Sequence, residues 1–200
     1  MLEVYLLRHG ETAYNAQGNK YCGRTDIGLT EKGLQQAQAV REQLAGVQFD
    51  AIFSSPLQRA YRTAQTASGQ PDAVQIEPRL IEADFGSWEG KTKEEFIPEN
   101  PGLWQDWSND PGNTRAGGTG ETALELVSRI DAFFLELVQR FPDGRVMVVA
   151  HNGANRLFMA YKLGMPLKNY RKIVQENSSV TLLEIDSAGE LTLKKLNSKI

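Results

Sequence analysis

The chain contains two histidines, His9 and His151, and each stands at the end of an apolar run. His9 follows "LEVYLL" (residues 2–7) and Arg8, and His151 follows "RVMVVA" (145–150). A neutral imidazole is a nucleophile or proton carrier near pH 7. For one histidine alone, a structural place in the core or on the surface is the commoner fate. Two out of two at the ends of candidate strands favour a reactive role, because open α/β sheets bind ligands beyond the carboxyl ends of their strands. Arg8 adjoins His9, and Arg59 lies in "SSPLQRAYRTA" (54–64), close behind a third apolar run, "FDAIFSS" (49–55). Guanidinium groups beside a helix N-terminus make a site for a phosphate dianion, through paired hydrogen bonds and the helix dipole. Glu82, in "LIEADFGSWEG" (80–90), follows the apolar pair Leu80–Ile81. Burial of a carboxyl group raises its pKa toward the range of a general acid.

These groups need a frame. The three apolar runs read as buried strands, and "SSVTLLEI" with "LTLKKL", joined by "DSAGE", reads as a C-terminal hairpin. A helix is predicted from Thr30 as N-cap, through Leu34, Ala37, Val40 and Leu44, to a stop at Gly46. A second is expected to open at Ser55 and Pro56, the first helical position tolerating a missing N–H. Residues 121–140 carry an apolar stripe of Leu124, Val127, Ile130, Phe134, Leu137 and Val138, and "NGANRLFMAYKLG" forms the last helix, ended by Gly164 and Pro166. Strands alternating with helices imply an α/β fold, a three-layer αβα sandwich with a mainly parallel sheet. Residues 84–120, with Trp88, Trp104 and Trp107 among Gly, Pro, Asn and Asp, read as a partly helical excursion and a pocket wall. No repeat or linker divides the chain, so one domain over 1–200 is expected.

Bulk composition narrows the class. A net charge of −3 argues against a general nucleic-acid or anionic-membrane binder while allowing a local basic pocket. Cys22 is the only cysteine, which rules out an intrachain disulfide and fits a reducing, cytoplasmic compartment. "MLEVYLL" lacks the basic flank and length of a signal peptide, and no run reaches the roughly 18 apolar residues of a membrane span.

In order and content, "LLRHGETAYN", "SSPLQRAYRTA", "LIEADFGSWEG" and "VVAHNGANR" resemble the successive signatures of the histidine phosphatase superfamily, the phosphoglycerate mutase-like enzymes. The resemblance spans residues 4 to about 185. It implies a phosphoglycerate mutase-like fold and a phosphomonoester hydrolase acting through a phosphohistidine on a small phosphorylated metabolite. By that resemblance His9 is the nucleophile, its other ring nitrogen donating to a backbone carbonyl. Arg8, Arg59 and His151 surround the phosphoryl oxygens, with Asn15 and the backbone of Asn152 as further phosphate contacts. Glu82 gives a proton to the leaving alcohol and then activates water. Tyr21, Cys22 and Gly23, with Glu121 and Thr122, line the substrate side. The scheme requires no metal and no cofactor. Asn152 stands where the family carries glycine, and "AGGTGET" is longer than the glycine–glycine–glutamate pattern.

Other readings compete with it. "GKT" at 90–92 is not a Walker loop, since the glycine needed five residues before Gly90 is Phe85. A metal site is disfavoured by the charge of Arg8 beside His9 and by the lack of an HExxH-like spacing. Within the family, a chain of this length with a compact middle segment fits the phosphatase branch better than a cofactor-dependent phosphoglycerate mutase. The layout is similar to that of ribazole-phosphate phosphatases and of broad-specificity phosphatases. A non-catalytic binding module would have lost a histidine, an arginine or the glutamate, and all are present. The three tryptophans and Phe85 would suit an aromatic leaving group, a phosphoprotein included, or simply a core. A homodimer is compatible with the sequence, which does not select it.

Overall fold

The computed structural model describes residues 1–199. In chain order the regular elements are β1 (Leu2–Arg8), α1 (Ala13–Ala16), α2 (Glu31–Gln43), β2 (Ala51–Ser54), α3 (Gln58–Ser68) and β3 (Val74–Ile76). They continue with α4 (Lys93–Phe96), α5 (Pro101–Asn109), α6 (Ala123–Arg140), β4 (Arg145–Ala150), α7 (Asn152–Lys162), β5 (Val180–Ile185) and β6 (Leu191–Ser198). The six strands form one sheet in the order β3-β2-β4-β1-β5-β6. The first four strands in that order run parallel, and the expected C-terminal hairpin adds β5 and β6 antiparallel.

Alternation along each strand sends side chains to opposite faces of the sheet. Val4 and Leu6 of β1 and Val146, Val148 and Ala150 of β4 pack with α6 and α7. Leu7, Met147 and Val149 point the other way, toward Val40 of α2 and Ala60, Ala64 and Ala67 of α3. The result is the predicted αβα arrangement, with helices on both sides of the sheet.

Local differences from the sequence reading have identifiable causes. Helix α3 begins at Gln58 with Leu57 as its N-cap, two residues later than the expected Ser55 cap and Pro56 start. Ser55 Oγ accepts the Leu57 N–H at 3.3 Å and lies 2.7 Å from His151 Nε2, while the free N–H of Gln58 is capped from outside by the Asp26 carboxylate at 2.8 Å. In α6 the core face is built from Ala123, Leu126, Val127, Ile130, Phe133, Phe134, Leu137 and Val138, while Leu124 is 42% exposed. At 100° per residue, Leu124 lies about 120° round the helix from Ile130, off the buried stripe. Strand β3 escaped the pattern because its three residues are half-buried or exposed. The aromatic excursion does contain helices: α4 opens with a Thr92–Glu95 capping box, and α5 with Asn100 and Pro101. Trp88 and Trp107 are buried core, Trp88 stacking on Phe96 at 4.8 Å.

Candidate active site

The register of β1 on β4 sets Leu7 beside Val149 and Arg8 beside Ala150, so both strands end on one line. One residue further, the His9 N–H donates to the Ala150 carbonyl at 3.1 Å, and the His9 and His151 rings lie 5.2 Å apart. Next to β4, Ser55 at the end of β2 donates its N–H to the Val149 carbonyl at 3.0 Å. That places Ser55 Oγ 2.7 Å from His151 Nε2. Parallel pairing alone therefore delivers two imidazoles to one point.

His9 Nδ1 lies 2.7 Å from the Gly10 carbonyl oxygen. A carbonyl can only accept, so Nδ1 carries the proton and Nε2 keeps its lone pair. Burial first, then the Arg59 and Arg8 guanidinium groups, hold His9 well below the usual imidazole range. His151 is depressed in the same way, by burial and then by Arg59 and His9. Both rings are neutral at pH 7. The Gly10 turn is fixed in turn: its N–H donates to Thr63 Oγ1 at 3.0 Å, and the Thr63 hydroxyl donates to the Arg59 carbonyl at 2.7 Å. A Cβ on residue 10 would stand 2.5 Å from the Gly33 carbonyl oxygen, so only glycine fits beneath α2.

The arginines are held by carbonyls rather than carboxylates. Arg8 Nη1 donates to Gln175 O at 2.9 Å, and Arg59 donates to the Thr25 and Gly23 carbonyls at 2.8 and 2.7 Å. Burial lowers Arg8 to about 10, which leaves it charged at neutral pH. Arg8 Nε, Arg59 Nε and His151 Nδ1 are buried without hydrogen-bond partners in the protein. Orphaned polar groups cost roughly 1–3 kcal/mol each, and such a cost is concentrated where a ligand is to be met.

Asn15 and Glu82 are also oriented by the backbone. Asn15 Oδ1 accepts from Thr12 N–H at 3.1 Å and from Asn177 Nδ2 at 3.2 Å, which turns the Asn15 amide NH₂ away from both. Asn177 also donates to the His9 carbonyl at 3.1 Å. Glu82 is 5% exposed and caps the start of α7. Its Oε1 accepts from Ala83 and Ala154 N–H at 2.9 and 2.8 Å, and its Oε2 from Gly153 N–H at 3.0 Å. A Cβ on residue 153 would come within 2.8 Å of Glu82 Oε1, so Gly153 is what admits the carboxylate to this helix end.

These groups meet at a cavity of about 440 Å³. Of the residues singled out in the sequence, Arg8, His9, Asn15, Tyr21, Cys22, Glu82 and Asn152 line it. Arg59 and His151 sit fully buried behind them, and Gly23 contributes through its carbonyl to Arg59. Glu121 and Thr122 do not reach the cavity. Glu121 is gripped by Arg129 at 2.8 Å through both carboxylate oxygens, and Thr122 is the N-cap of α6. The longer loop before α6 thus serves the helix start rather than the substrate side. Lining residues absent from the sequence reading are Lys20, Lys93, Glu94, Arg156, Tyr170 and Arg171, with Gly18, Asn19 and Gly153 as smaller parts of the wall, while Phe85, singled out there for an aromatic leaving group, does line the cavity. Only Arg156 carried a signal, standing one helical turn after Asn152. Among the described residues no group of three or more His, Cys, Asp or Glu side chains is arranged to hold a metal ion. No helix is long and apolar enough to cross a membrane.

The profile of the histidine phosphatase superfamily (branch 1) matches residues 4–199. The chain belongs to that superfamily. Phosphoserine phosphatase 1 of Hydrogenobacter thermophilus is 31% identical over 195 residues, covering 97% of this chain and 92% of the relative. The adenosylcobalamin/alpha-ribazole phosphatase of Escherichia coli is 31% identical over 204 residues, covering 99% and 97%. A mutant phosphoserine phosphatase from Entamoeba histolytica, solved with phosphoserine, superposes with a TM-score of 0.89 at 31% identity, over 99% of this chain and 98% of that one. As a histidine phosphatase the chain is a hydrolase of small phosphomonoesters with a phosphoglycerate mutase-like α/β fold.

Proposed function

We propose that the chain works as a single-domain, metal-independent phosphatase in which His9 carries the phosphoryl group and Glu82 moves the proton. The observation that supports it best is the state of His9. Its Nδ1–H is committed to Gly10 O, its ring is neutral, and it lines the cavity with its second nitrogen unprotonated. In the first step Nε2 attacks phosphorus, the P–O bond to the alcohol breaks, and Glu82 in its acid form protonates the departing oxygen. Glu82 Oε1 already accepts two backbone N–H groups and Oε2 only one, so Oε2 is the oxygen left to hold and hand over a proton. In the second step the Glu82 carboxylate takes a proton from water, which displaces the histidine and releases inorganic phosphate. The unpaired Nε of Arg8, Nε of Arg59 and Nδ1 of His151, with the Asn15 amide, suit the equatorial phosphoryl oxygens, where their preorganised dipoles stabilise developing charge. The Asn152 backbone is the remaining phosphate contact in this reading.

Relatives bearing the names phosphoserine phosphatase and alpha-ribazole phosphatase favour a small phosphorylated metabolite over a phosphoprotein or a nucleic acid. The single cysteine, buried beside Thr12, fits a cytoplasmic setting. Replacing His9 with alanine is expected to lower turnover of an aryl phosphate by about 10³-fold or more, with wild-type activity unaffected by EDTA. A tenth of the activity remaining in His9→Ala would overturn the nucleophile assignment, and loss in EDTA restored by zinc would overturn metal independence.

A further inference from the structure

Arg59 is completely buried beside the reaction centre and, among the described residues, forms no ion pair with a carboxylate. Elsewhere half-buried arginines are neutralised directly: Arg79 by Glu77 and Glu136, Arg129 by Glu121. The Gly23 and Thr25 carbonyls take two of the Arg59 donors, so the loop 23–25 fixes the guanidinium. That loop is itself built round one carboxylate, Glu89. Glu89 Oε1 accepts the Arg24 N–H at 2.9 Å and the Phe85 N–H at 3.2 Å. Its Oε2 accepts the Thr25 N–H at 3.1 Å and the Thr25 hydroxyl at 2.8 Å. None of these four donors is a cation. Gly23 has a φ of +50°, and a Cβ there would run into Glu89 Oε1, so the carboxylate needs glycine at this position. The Gly23–Arg24 peptide therefore has its carbonyl on Arg59 and its N–H on Glu89, and a planar trans peptide points these two groups in opposite directions. A carboxylate set directly on Arg59 would occupy N–H groups that a phosphoryl oxygen needs. One peptide away, it orients and polarises the carbonyl that holds the guanidinium, and Arg59 Nε stays unpaired. Burial lowers the Arg59 guanidinium, and Glu89 is among the carboxylates whose charge opposes that shift.

We infer that Glu89 is a positioning residue for phosphoryl transfer, setting Arg59 through the Gly23–Arg24 peptide and the Thr25 backbone. This rests on the phosphatase reading, in which Arg59 Nε meets a phosphoryl oxygen. Glu89 is not among the residues that line the cavity, and it acts only through Arg59. It brings a negative charge near a buried guanidinium while leaving Arg59 Nε to the substrate. The aromatic excursion thereby reaches the reaction centre as well as covering it. Tyr21 N–H on the Lys91 carbonyl and Gly90 N–H on the Tyr21 carbonyl, each at 2.9 Å, lock the loop to the excursion beside Glu89.

Turnover of p-nitrophenyl phosphate and orthovanadate binding by titration calorimetry test it on the whole protein. Glu89→Gln keeps the side-chain shape and removes the charge. It should lower kcat by about tenfold or more and weaken vanadate binding by a similar factor, with KM changing by about threefold or less. In an Arg59→Met background the same substitution should change both quantities by about twofold or less, since no guanidinium is left to position. Thr25→Ala removes only the hydroxyl on Glu89 Oε2 and should act in the same direction by about threefold, again only where Arg59 is present. That variant decides the matter if Glu89→Gln does not fold. Equal losses with and without Arg59, at unchanged Tm, overturn the inference, because a general support of the fold would act that way. Wild-type kcat and vanadate binding in a folded Glu89→Gln protein also overturn it. If His9→Ala and Arg59→Met leave turnover intact, the underlying phosphatase reading fails instead, and the inference falls with it.

Discussion

The two halves of the cavity are built by different means. At the phosphoryl end, Arg8, His9, Arg59 and Glu82 are each tied to backbone carbonyls or N–H groups of loops and of the start of α7. At the outer end, Lys93, Arg156 and Arg171 lean on the rings of Trp104 and Tyr170, which belong to short helices and turns. Backbone partners fix a group within a fraction of an ångström, as in-line attack demands. Ring faces are broad and tolerate displacement, which is enough to recognise charge and leaves room for different alcohols. The phosphoryl end is thus held by backbone groups, and the outer end by side chains resting on rings.

That contrast is broken most directly at its deep end. Glu82→Gln should lower kcat/KM for an alkyl phosphate by about 10²–10⁴-fold, but by about tenfold or less for p-nitrophenyl phosphate, whose leaving group needs no proton. A plot of rate against leaving-group pKa would show it, and parallel losses for both esters would count against proton donation.

The smallest effect is on stability and belongs to the deep half alone. Both histidines have folded pKa values below the unfolded 6.5, so the native and unfolded states are equally unprotonated above that pH. As pH falls through it, the unfolded chain binds protons that the buried rings refuse, and stability drops. Two such groups should cost roughly 2–3 kcal/mol between pH 7.5 and 5.5, measured by denaturant unfolding. The carboxylates depressed by partners, such as Glu77 and Glu136, lose their contribution only below about 4.5 and do not confuse the window. A flat profile from 7.5 to 5.5 would show that the rings are not held neutral.

The same division governs what could be read from the sequence. His9 and His151 were legible because each directly extends a strand, so their positions follow from register. Arg59, Glu82 and Asn15 were placed by motif, and the structure brings them to the same point. Lys93, Arg156 and Arg171 reach the cavity from three separate elements, and no local period joins them. Asn177, which braces both His9 and Asn15, was invisible for the same reason, since its partners lie more than 160 residues away. The later start of α3 has a different origin: Ser55 Oγ does accept the Leu57 N–H, but Gln58 is capped by Asp26, a carboxylate from 32 residues earlier in the chain. Glu121 and Thr122 were misread because the start of α6, with its own cap and ion pair, occupies the sequence position where substrate contacts were expected.

Transfer of the phosphoryl group to His9 can be observed directly. An aryl phosphate with a fast leaving group makes the second step limiting, so the intermediate accumulates and can be trapped by rapid quenching in alkaline detergent with ³²P-labelled ester. A burst of about one aryl alcohol per active chain is expected, with acid-labile, base-stable label on the peptide carrying His9 and none in His9→Ala. Steady release with no burst and no label, or label on any other residue, would contradict it.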